Sequence, residues 1–552
     1  MARSQEQPAP EAGLGKTPAP THRFWLTAAV VLAVALALRA ALLAAGAFPF
    51  NADEAVVGLM ARHIVAGQWP TFFYGQAYLG SLDAGLVAAA FALLGESILA
   101  IRIVQTLLFL GTILTTMMLT REMGFPLLVS ALAGLLLAVP SVNVTLYTTV
   151  SLGGYGEALL LGNLILWATL RLIRRPASVW PFGLWGVLTG FALWVFGLTL
   201  IYSVPSAVLL ALACLRRLPR RQLLIRFVAV LAGSCLGALP LVVWSAANGA
   251  GPLLGELLGS AIAGASPAEL PSAIASHFVH LALFAPTVVF GVRPPWSITA
   301  LGMPLAPIAV ILWLVAILLG MRRGRWPSSG LPGRTLLLAC SLTLLVGFVL
   351  TPFGADPSGR YFLPLAIPLA IFAASGIQAA RERAGRSWAL ALGALLLAFN
   401  LWTNLEAAGG ETGFTTQFDA ATVFDRAHDA ELADFLMDHG ATAGYTTYWV
   451  SYTLAFVSQE RLVYLPHLPY HSDFRYTSRD DRYEPYRAVV AAEPRPSYIT
   501  ARQPWLDAYL RERLRSRGVN FEEKTIGDYR VFYDLSQTVR PHDVGLGGEA
   551  AP

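Results

Sequence analysis

The sequence predicts an α-helical polytopic membrane protein with about eleven transmembrane helices, further helices lying along the outer surface, and a small α/β domain at the C-terminal end. Three observations carry that expectation. Of the 552 residues, 55% are hydrophobic and only 13% charged, against about 25% charged in an ordinary soluble domain. Apolar runs long enough to cross about 30 Å of hydrocarbon recur from residue 24 to residue 405. The charge is divided as well: residues 1–405 hold 24 of the 39 basic groups but only 12 of the 34 acids. A basic membrane part of net +12 thus precedes an acidic part of net −7. A soluble enzyme is excluded.

Residues 1–22 are rich in Pro, Ala and Gln and read as a disordered cytoplasmic tail. Arg23 then precedes the run Phe24–Gly46, which is too long for a removable signal peptide. Further spans are expected at about 98–119, 127–142, 157–174, 180–196, 199–215, 226–247, 300–320, 334–351, 361–380 and 387–405. Arginines cluster in short loops at 171–175, 216–221, 322–334 and 381–386, and basic loops stay in the cytoplasm. With the N-terminus inside as well, segments 47–97, 143–156, 246–299 and 352–360 face outward, as does everything after 405. That parity requires 79–95, interrupted by Asp83 and closed by Glu96, to lie in the outer interface, and 277–292 is read the same way.

Residues 23–405 therefore form the membrane domain and 406–537 a soluble extracytoplasmic domain, followed by a disordered tail over 538–552. In the soluble part, DAELADFLMDHG reads as a helix closed by Gly440, YTTYWVSYTLAFVS and RLVYL as strands, LDAYLRERLRSRG as a helix and YRVFYDL as a final strand. Lysine occurs only at Lys16 and Lys524, so the arginine excess is a compositional bias and no nucleic-acid partner is indicated. Cys214, Cys235 and Cys340 sit in apolar runs and offer neither a disulfide framework nor a metal site.

Four places carry chemistry. In NADEAVVGLMARHIVAGQWP, Asp53 and Glu54 stand where the first helix leaves the membrane, ahead of a short helix over 55–66 that Gly67 stops. A carboxylate there can deprotonate an acceptor, or the pair can simply answer a helix dipole. Glu157 is the one acid between Glu122 and Glu256, and ionisable groups at membrane depth are costly and usually functional. Arg360, in GADPSGRYFLPLAIP, is an arginine on the outer face, against the charge rule, and suits an anionic partner such as a phosphate. Arg293 is a weaker candidate of the same kind, and Asp356 can pair with Arg360. His277 and His280, spaced i, i+3, can bind one metal, but no third ligand is evident and no metal site is expected.

The first outer loop with its acidic pair, the following FALLGESILAIRIVQ, the stretch GGYGEALLLGN and the late GRYFLPLAIPLA together resemble the GT-C superfamily of polytopic glycosyltransferases. Aminoarabinose transferases and protein O-mannosyltransferases are the nearest groups. The resemblance implies a GT-C fold in the cytoplasmic membrane and a sugar donor carried on polyprenyl phosphate. It implies a lipid, glycan or protein acceptor and an inverting displacement on the outer face. Asp53 matches the catalytic aspartate, Glu54 its acidic neighbour and Glu157 the second-loop acid. Arg360, Tyr361, Arg102 and Arg293 are then expected around the donor phosphate. A Lys-Pro pair of the aminoarabinose transferases is absent, and Tyr74, Gln76 and Tyr78 occupy that neighbourhood as substrate-binding candidates. No cofactor is required; a divalent cation is the open option. A lipid-linked sugar flippase or a non-catalytic scaffold is the alternative outside enzymes, and an oligosaccharyltransferase or a lipid-to-lipid transferase within them.

Overall fold

The computed structural model describes residues 21–546 apart from 177, 250, 252, 254, 256–269, 323, 325, 419–421, 472–473 and 475. The expected N-terminal tail lies outside the described residues as far as residue 20. Among those described, 7 helices are long and apolar enough to span a membrane, or 8 if the pair Arg220–Gly237 and Leu239–Asn248, bent by 69°, counts as one span. Every expected span coincides with a helix, but three are short: Leu127–Ala138, Trp180–Val195 and Ala306–Met321. At 1.5 Å per residue the first reaches about 18 Å, short of a bilayer core. The segment expected in the outer interface is the 13-residue helix α3, Leu82–Leu94, and the second is Ala273–Val289.

The first outer loop sets up the rest. Helix α1, His22–Ala44, ends seven residues before Asn51, whose side chain accepts from the Glu54 backbone N–H at 3.1 Å and so starts α2, Ala52–Val65. Gly67, at φ +90, follows the last turn. A short hairpin, β1 (Phe72–Phe73) and β2 (Gln76–Gly80), then leads into α3. Helix α4, Ile98–Glu122, lies behind α2. Its Arg102 grips the fully buried Glu54 with two hydrogen bonds, Nε to Oε1 at 3.1 Å and Nη2 to Oε2 at 2.9 Å.

Other membrane helices pack through glycine. A Cβ on Gly320 would stand 1.8 Å from the Phe372 carbonyl oxygen, and one on Gly376 the same distance from Ala316. The helices Ala306–Met321 and Ala366–Ala384 can therefore cross at backbone contact, as small residues permit in lipid.

The C-terminal domain holds a five-stranded sheet in the order β4-β3-β5-β7-β6. Its strands are β3 (Ala443–Tyr445), β4 (Val463–Leu465), β5 (Ser497–Ala501), β6 (Glu522–Ile526) and β7 (Tyr529–Tyr533). The expected helix over DAELADFLMD, the strand at RLVYL, the helix Pro504–Ser516 and the final strand are present. YTTYWVSYTLAFVS is a correction: it is not a strand but the helix Tyr448–Val457. β3 and β4 pair in parallel, which requires a crossover, and a helix is its usual form. This helix is buried on nearly every side, so its aromatic and β-branched residues show no helical period. The packed chain also runs past 537, with Val539, Val544 and Leu546 buried around a short 3₁₀ turn at Pro541–Val544, and 547–552 fall outside the described residues.

The soluble domain sits directly on α2. A Cβ on Gly58 would meet the Phe456 ring at 2.5 Å, so the two helices touch where only glycine fits. At the other end of α2, His63 Nε2 lies 3.0 Å from Glu460, and Arg62 bridges Glu96 and Glu460. Burial pushes the Glu460 carboxyl up, but hydrogen bonds from His63 and Tyr486 and the charges of His63 and Arg62 outweigh it and hold it at about 2.

The Glu54–Arg102 pair is expected to be the weak point of this arrangement. Glu54→Gln strands the Arg102 charge in the core and should cost about 3–5 kcal/mol, whereas Glu54→Leu with Arg102→Met should recover most of that loss. Thermal unfolding of the full chain in detergent measures both; a single variant as stable as the wild type contradicts the assignment.

Candidate active site

Where the first outer loop, the loop before residue 361 and the soluble domain converge, they enclose a cavity of about 380 Å³. Asp53, Gln76 and Tyr78 come from the first loop, Tyr147 and Tyr155 from the second, Asp356 and Arg360 from the late loop, and Tyr448, Asp480 and Arg482 from the soluble domain. Regions far apart in sequence thus make one site.

Asp53 reaches it because its neighbour cannot. Successive residues on a helix point about 100° apart, and with Glu54 buried against Arg102 the Asp53 carboxylate is turned into the cavity. There Oδ1 accepts a hydrogen bond from the Tyr448 hydroxyl at 2.6 Å. Asp53 is also in the first turn of α2, where the helix dipole favours an anion. Its capping role is small, since Asn51 is the cap.

Arg360 lines the cavity with its Nε 2.6 Å from Asp356 Oδ2. Asp356 is fixed in turn by the Ser358 backbone N–H, 2.7 Å from Oδ1. Arg293 stands behind this loop. Its guanidinium donates to the carbonyls of Pro294, Ser297 and Pro357, so it shapes the loop that presents Arg360 without lining the cavity. Tyr361 is buried beneath the Arg360 guanidinium, 5.1 Å from ring centroid to Cζ.

Of the remaining expected site residues, Gln76 and Tyr78 line the cavity, and Glu54, Arg102, Glu157 and Tyr74 do not. Arg102 spends its fork on Glu54. Glu157 is buried beside Asp83 at the head of helix Tyr155–Arg174. Asp83 itself accepts from Gln105 at 2.8 Å, from the Gly153 backbone at 3.2 Å and from the Ser151 hydroxyl. Tyr74 bonds His63 at 2.7 Å and stacks on Tyr483, in the seam between the domains. His277 and His280 each turn Nδ1 to a backbone carbonyl, of Val349 and Gly354. Among the described residues no three His, Cys, Asp or Glu side chains are grouped to hold a metal ion.

The cavity residues that sequence reasoning missed include Tyr147 and Tyr155 of the second loop and those of the C-terminal domain. Tyr448 falls in the stretch read as a strand, and Asp480 and Arg482 fall in SRDDRYEPYR, which contains none of the motifs singled out above. The contact of Tyr448 with Asp53 spans 395 positions, and no local pattern signals it.

Burial pushes the Asp480 carboxyl up to about 7, against the pull of Arg482 and with the push of Asp53. The unfolded chain gives up such a proton near pH 4. The folded state therefore binds more protons across this window, and its contribution, complete below about pH 4, is lost as pH rises through about 7. The thermal midpoint should accordingly fall between pH 5 and pH 8, and the slope should shrink in Asp480→Asn. An equal slope in that variant would assign the effect to other groups.

No family model matches the chain, and no curated protein does. Solved structures share its fold. ArnT from Cupriavidus metallidurans bound to undecaprenyl phosphate superposes with a TM-score of 0.53 at 16% identity, over 94% of this chain and 99% of that one. The Archaeoglobus fulgidus oligosaccharyltransferase in its apo form gives 0.51 at 13% identity, over 89% and 71%. The oligosaccharyltransferase AglB from that organism, in complex with an inhibitory peptide and a dolichol-phosphate, gives 0.50 at 11%, over 94% and 74%. The chain shares the fold of these solved structures, and the expected helical membrane architecture with a small C-terminal α/β domain is met, though not its count of spans.

Proposed function

We propose that this chain is a membrane glycosyltransferase that moves a sugar from a polyprenyl-phosphate carrier to an acceptor on the outer face of the cytoplasmic membrane. The observation that carries the reading is one cavity, in a GT-C fold, that holds a hydrogen-bonded carboxylate and a fixed arginine together. Three solved structures of that fold add weight: ArnT is bound to undecaprenyl phosphate, AglB is in complex with a dolichol-phosphate, and the two Archaeoglobus fulgidus structures are named oligosaccharyltransferases.

The proposed step is a direct displacement. The acceptor oxygen or nitrogen attacks the anomeric carbon, its proton passes to Asp53, and the bond from that carbon to the phosphate oxygen breaks with the electron pair leaving on the phosphate. Arg360 stabilises that charge, and the anomeric centre inverts. Electrostatic stabilisation by groups already in place lowers such a barrier most, and Arg360 is held in place by Asp356 and Arg293 on either side. Glu54 acts by aiming Asp53, and Tyr361 and Arg293 by holding Arg360. The aromatic walls, with Tyr78, Tyr147 and Tyr155, suit a sugar ring. The step as written consumes no metal or cofactor.

The outward placement is supported by the arginines. Helix Tyr155–Arg174 begins on the cavity and carries Arg171 and Arg174 in its last turn. Helix Ala366–Ala384 follows Arg360 and carries Arg381 and Arg383 in its last turn. The basic ends that favour the cytoplasm thus lie opposite the cavity.

The reading is tested with purified full-length protein and an undecaprenyl-phosphate sugar, following release of free undecaprenyl phosphate. Asp53→Asn should keep the thermal midpoint and lower turnover by at least roughly 10²-fold, the scale of a positioned base. Normal turnover in that variant would return Asp53 to a structural role.

A further inference from the structure

We propose that Arg482, carried into the cavity by the soluble domain, is an anion-binding residue of this site and takes phosphate oxygens of its ligand. The proposal deepens the glycosyl-transfer reading and rests on it for the ligand's identity, though not for the existence of an anion site.

Unlike the other arginine lining the cavity and those of the α2 seam, Arg482 has no carboxylate within ion-pair distance. Arg102 is spent on Glu54, Arg62 on Glu96 and Glu460, Arg360 on Asp356, and Arg487 on Asp481. Among the described residues no carboxylate forms an ion pair with Arg482, and its Nε is buried without a hydrogen-bond partner. The groups in contact with the guanidinium are neutral, while the Asp53 and Asp480 carboxylates act on it from beyond ion-pair distance. With the Gln76 carboxamide turned to satisfy both its ends, its oxygen accepts from Arg482 Nη1 and, at 3.0 Å, Nη2, while its nitrogen donates to Tyr78. On another side the guanidinium carbon stands 5.4 Å from the Tyr448 ring centroid. Gln76 uses only part of a five-donor group. A buried charge left unpaired is costly, so the site is built for an anion that arrives with the ligand.

The residue is also held in position. The Arg482 backbone N–H donates to the Tyr452 hydroxyl at 2.5 Å. Its stem passes over the turn of the first-loop hairpin, where a Cβ on Gly75 would meet Arg482 Cδ at 2.8 Å, and Gly75 has φ +69, a conformation glycine adopts freely. The hairpin of the membrane domain is therefore shaped to admit this one side chain. A planar fork presented this way matches the paired oxygens of a phosphate. The phosphate is either that of the lipid carrier or one borne by the acceptor.

The test measures binding to purified full-length protein in nanodiscs, without turnover. Undecaprenyl phosphate is titrated into wild type, Arg482→Gln, Arg482→Lys and, as a surface-charge control, Arg495→Gln. In parallel, the rise in thermal midpoint with inorganic phosphate is compared with chloride at equal ionic strength. Arg482→Gln should weaken undecaprenyl phosphate by at least roughly tenfold, the scale of lost charge-assisted hydrogen bonds, with Arg482→Lys between and Arg495→Gln unchanged. That result assigns Arg482 to the carrier phosphate. Unchanged carrier affinity with loss of the inorganic phosphate effect assigns it to a phosphate on the acceptor. If neither changes, the proposal is overturned and Arg482 is a fixed counter-charge for Asp53 and Asp480. Should wild type bind no undecaprenyl phosphate at all, the glycosyl-transfer reading fails, while the inorganic phosphate comparison still decides Arg482. Arg482→Lys keeps the charge and serves if Arg482→Gln does not fold.

Discussion

The site depends on one buried ion pair. Asp53 and Glu54 are adjacent in sequence, and which of them faces the cavity is settled behind the helix. Arg102 takes both oxygens of Glu54, whose carboxylate is fully buried. This clamps the first turn of α2 against α4, and the next residue round the helix has only the cavity to face. A buried pair of this kind adds little net stability, because desolvation offsets attraction. What it supplies here is orientation.

The second half of the site comes from the soluble domain. Its helix Tyr448–Val457 lies across α2 at a glycine, its Tyr448 hydroxyl bonds the Asp53 carboxylate, and Glu460 fastens the far end through His63 and Arg62. The domain is thus a wall of the cavity, built from opposite charges that alternate across it. Asp53, Asp356 and Asp480 stand among Arg360 and Arg482, and only Arg360 among these arginines has its own carboxylate. An anionic ligand would supply the acceptor that the buried Arg482 Nε lacks. The same reasoning separates residues by task. Arg293, Tyr361 and Glu54 hold the groups that line the cavity and do not line it themselves.

Much of this was legible in the sequence, and the reason differs from element to element. The start of α2 was readable because Asn51, the acids and Gly67 are local signals written within one helix. Arg360 with Asp356 was readable because an arginine in a loop expected on the outer face runs against the charge rule and its partner is four residues away. The helices were legible from hydropathy, but their lengths were not: Leu127–Ala138, Trp180–Val195 and Ala306–Met321 stop short of a full span. The helix Tyr448–Val457 was misread because complete burial erases the period that distinguishes helix from strand. Arg482, Tyr448 and Asp480 carried no signal, since their role exists only once two domains meet. Local sequence alone does not tell Glu54 from Asp53, which only the family resemblance separates, because Arg102, the residue that divides them in the structure, lies on another helix.

The most direct measurement is the position of the carrier phosphate in a cryo-electron microscopy structure of the full chain in nanodiscs with undecaprenyl phosphate. The account predicts phosphate density in the cavity, within hydrogen-bonding reach of the Arg360 and Arg482 guanidinium groups, on the side facing Asp53, with the isoprenoid leaving toward the membrane helices. Phosphate density elsewhere, with Arg482 still held by Gln76 and the cavity filled by solvent alone, would contradict it.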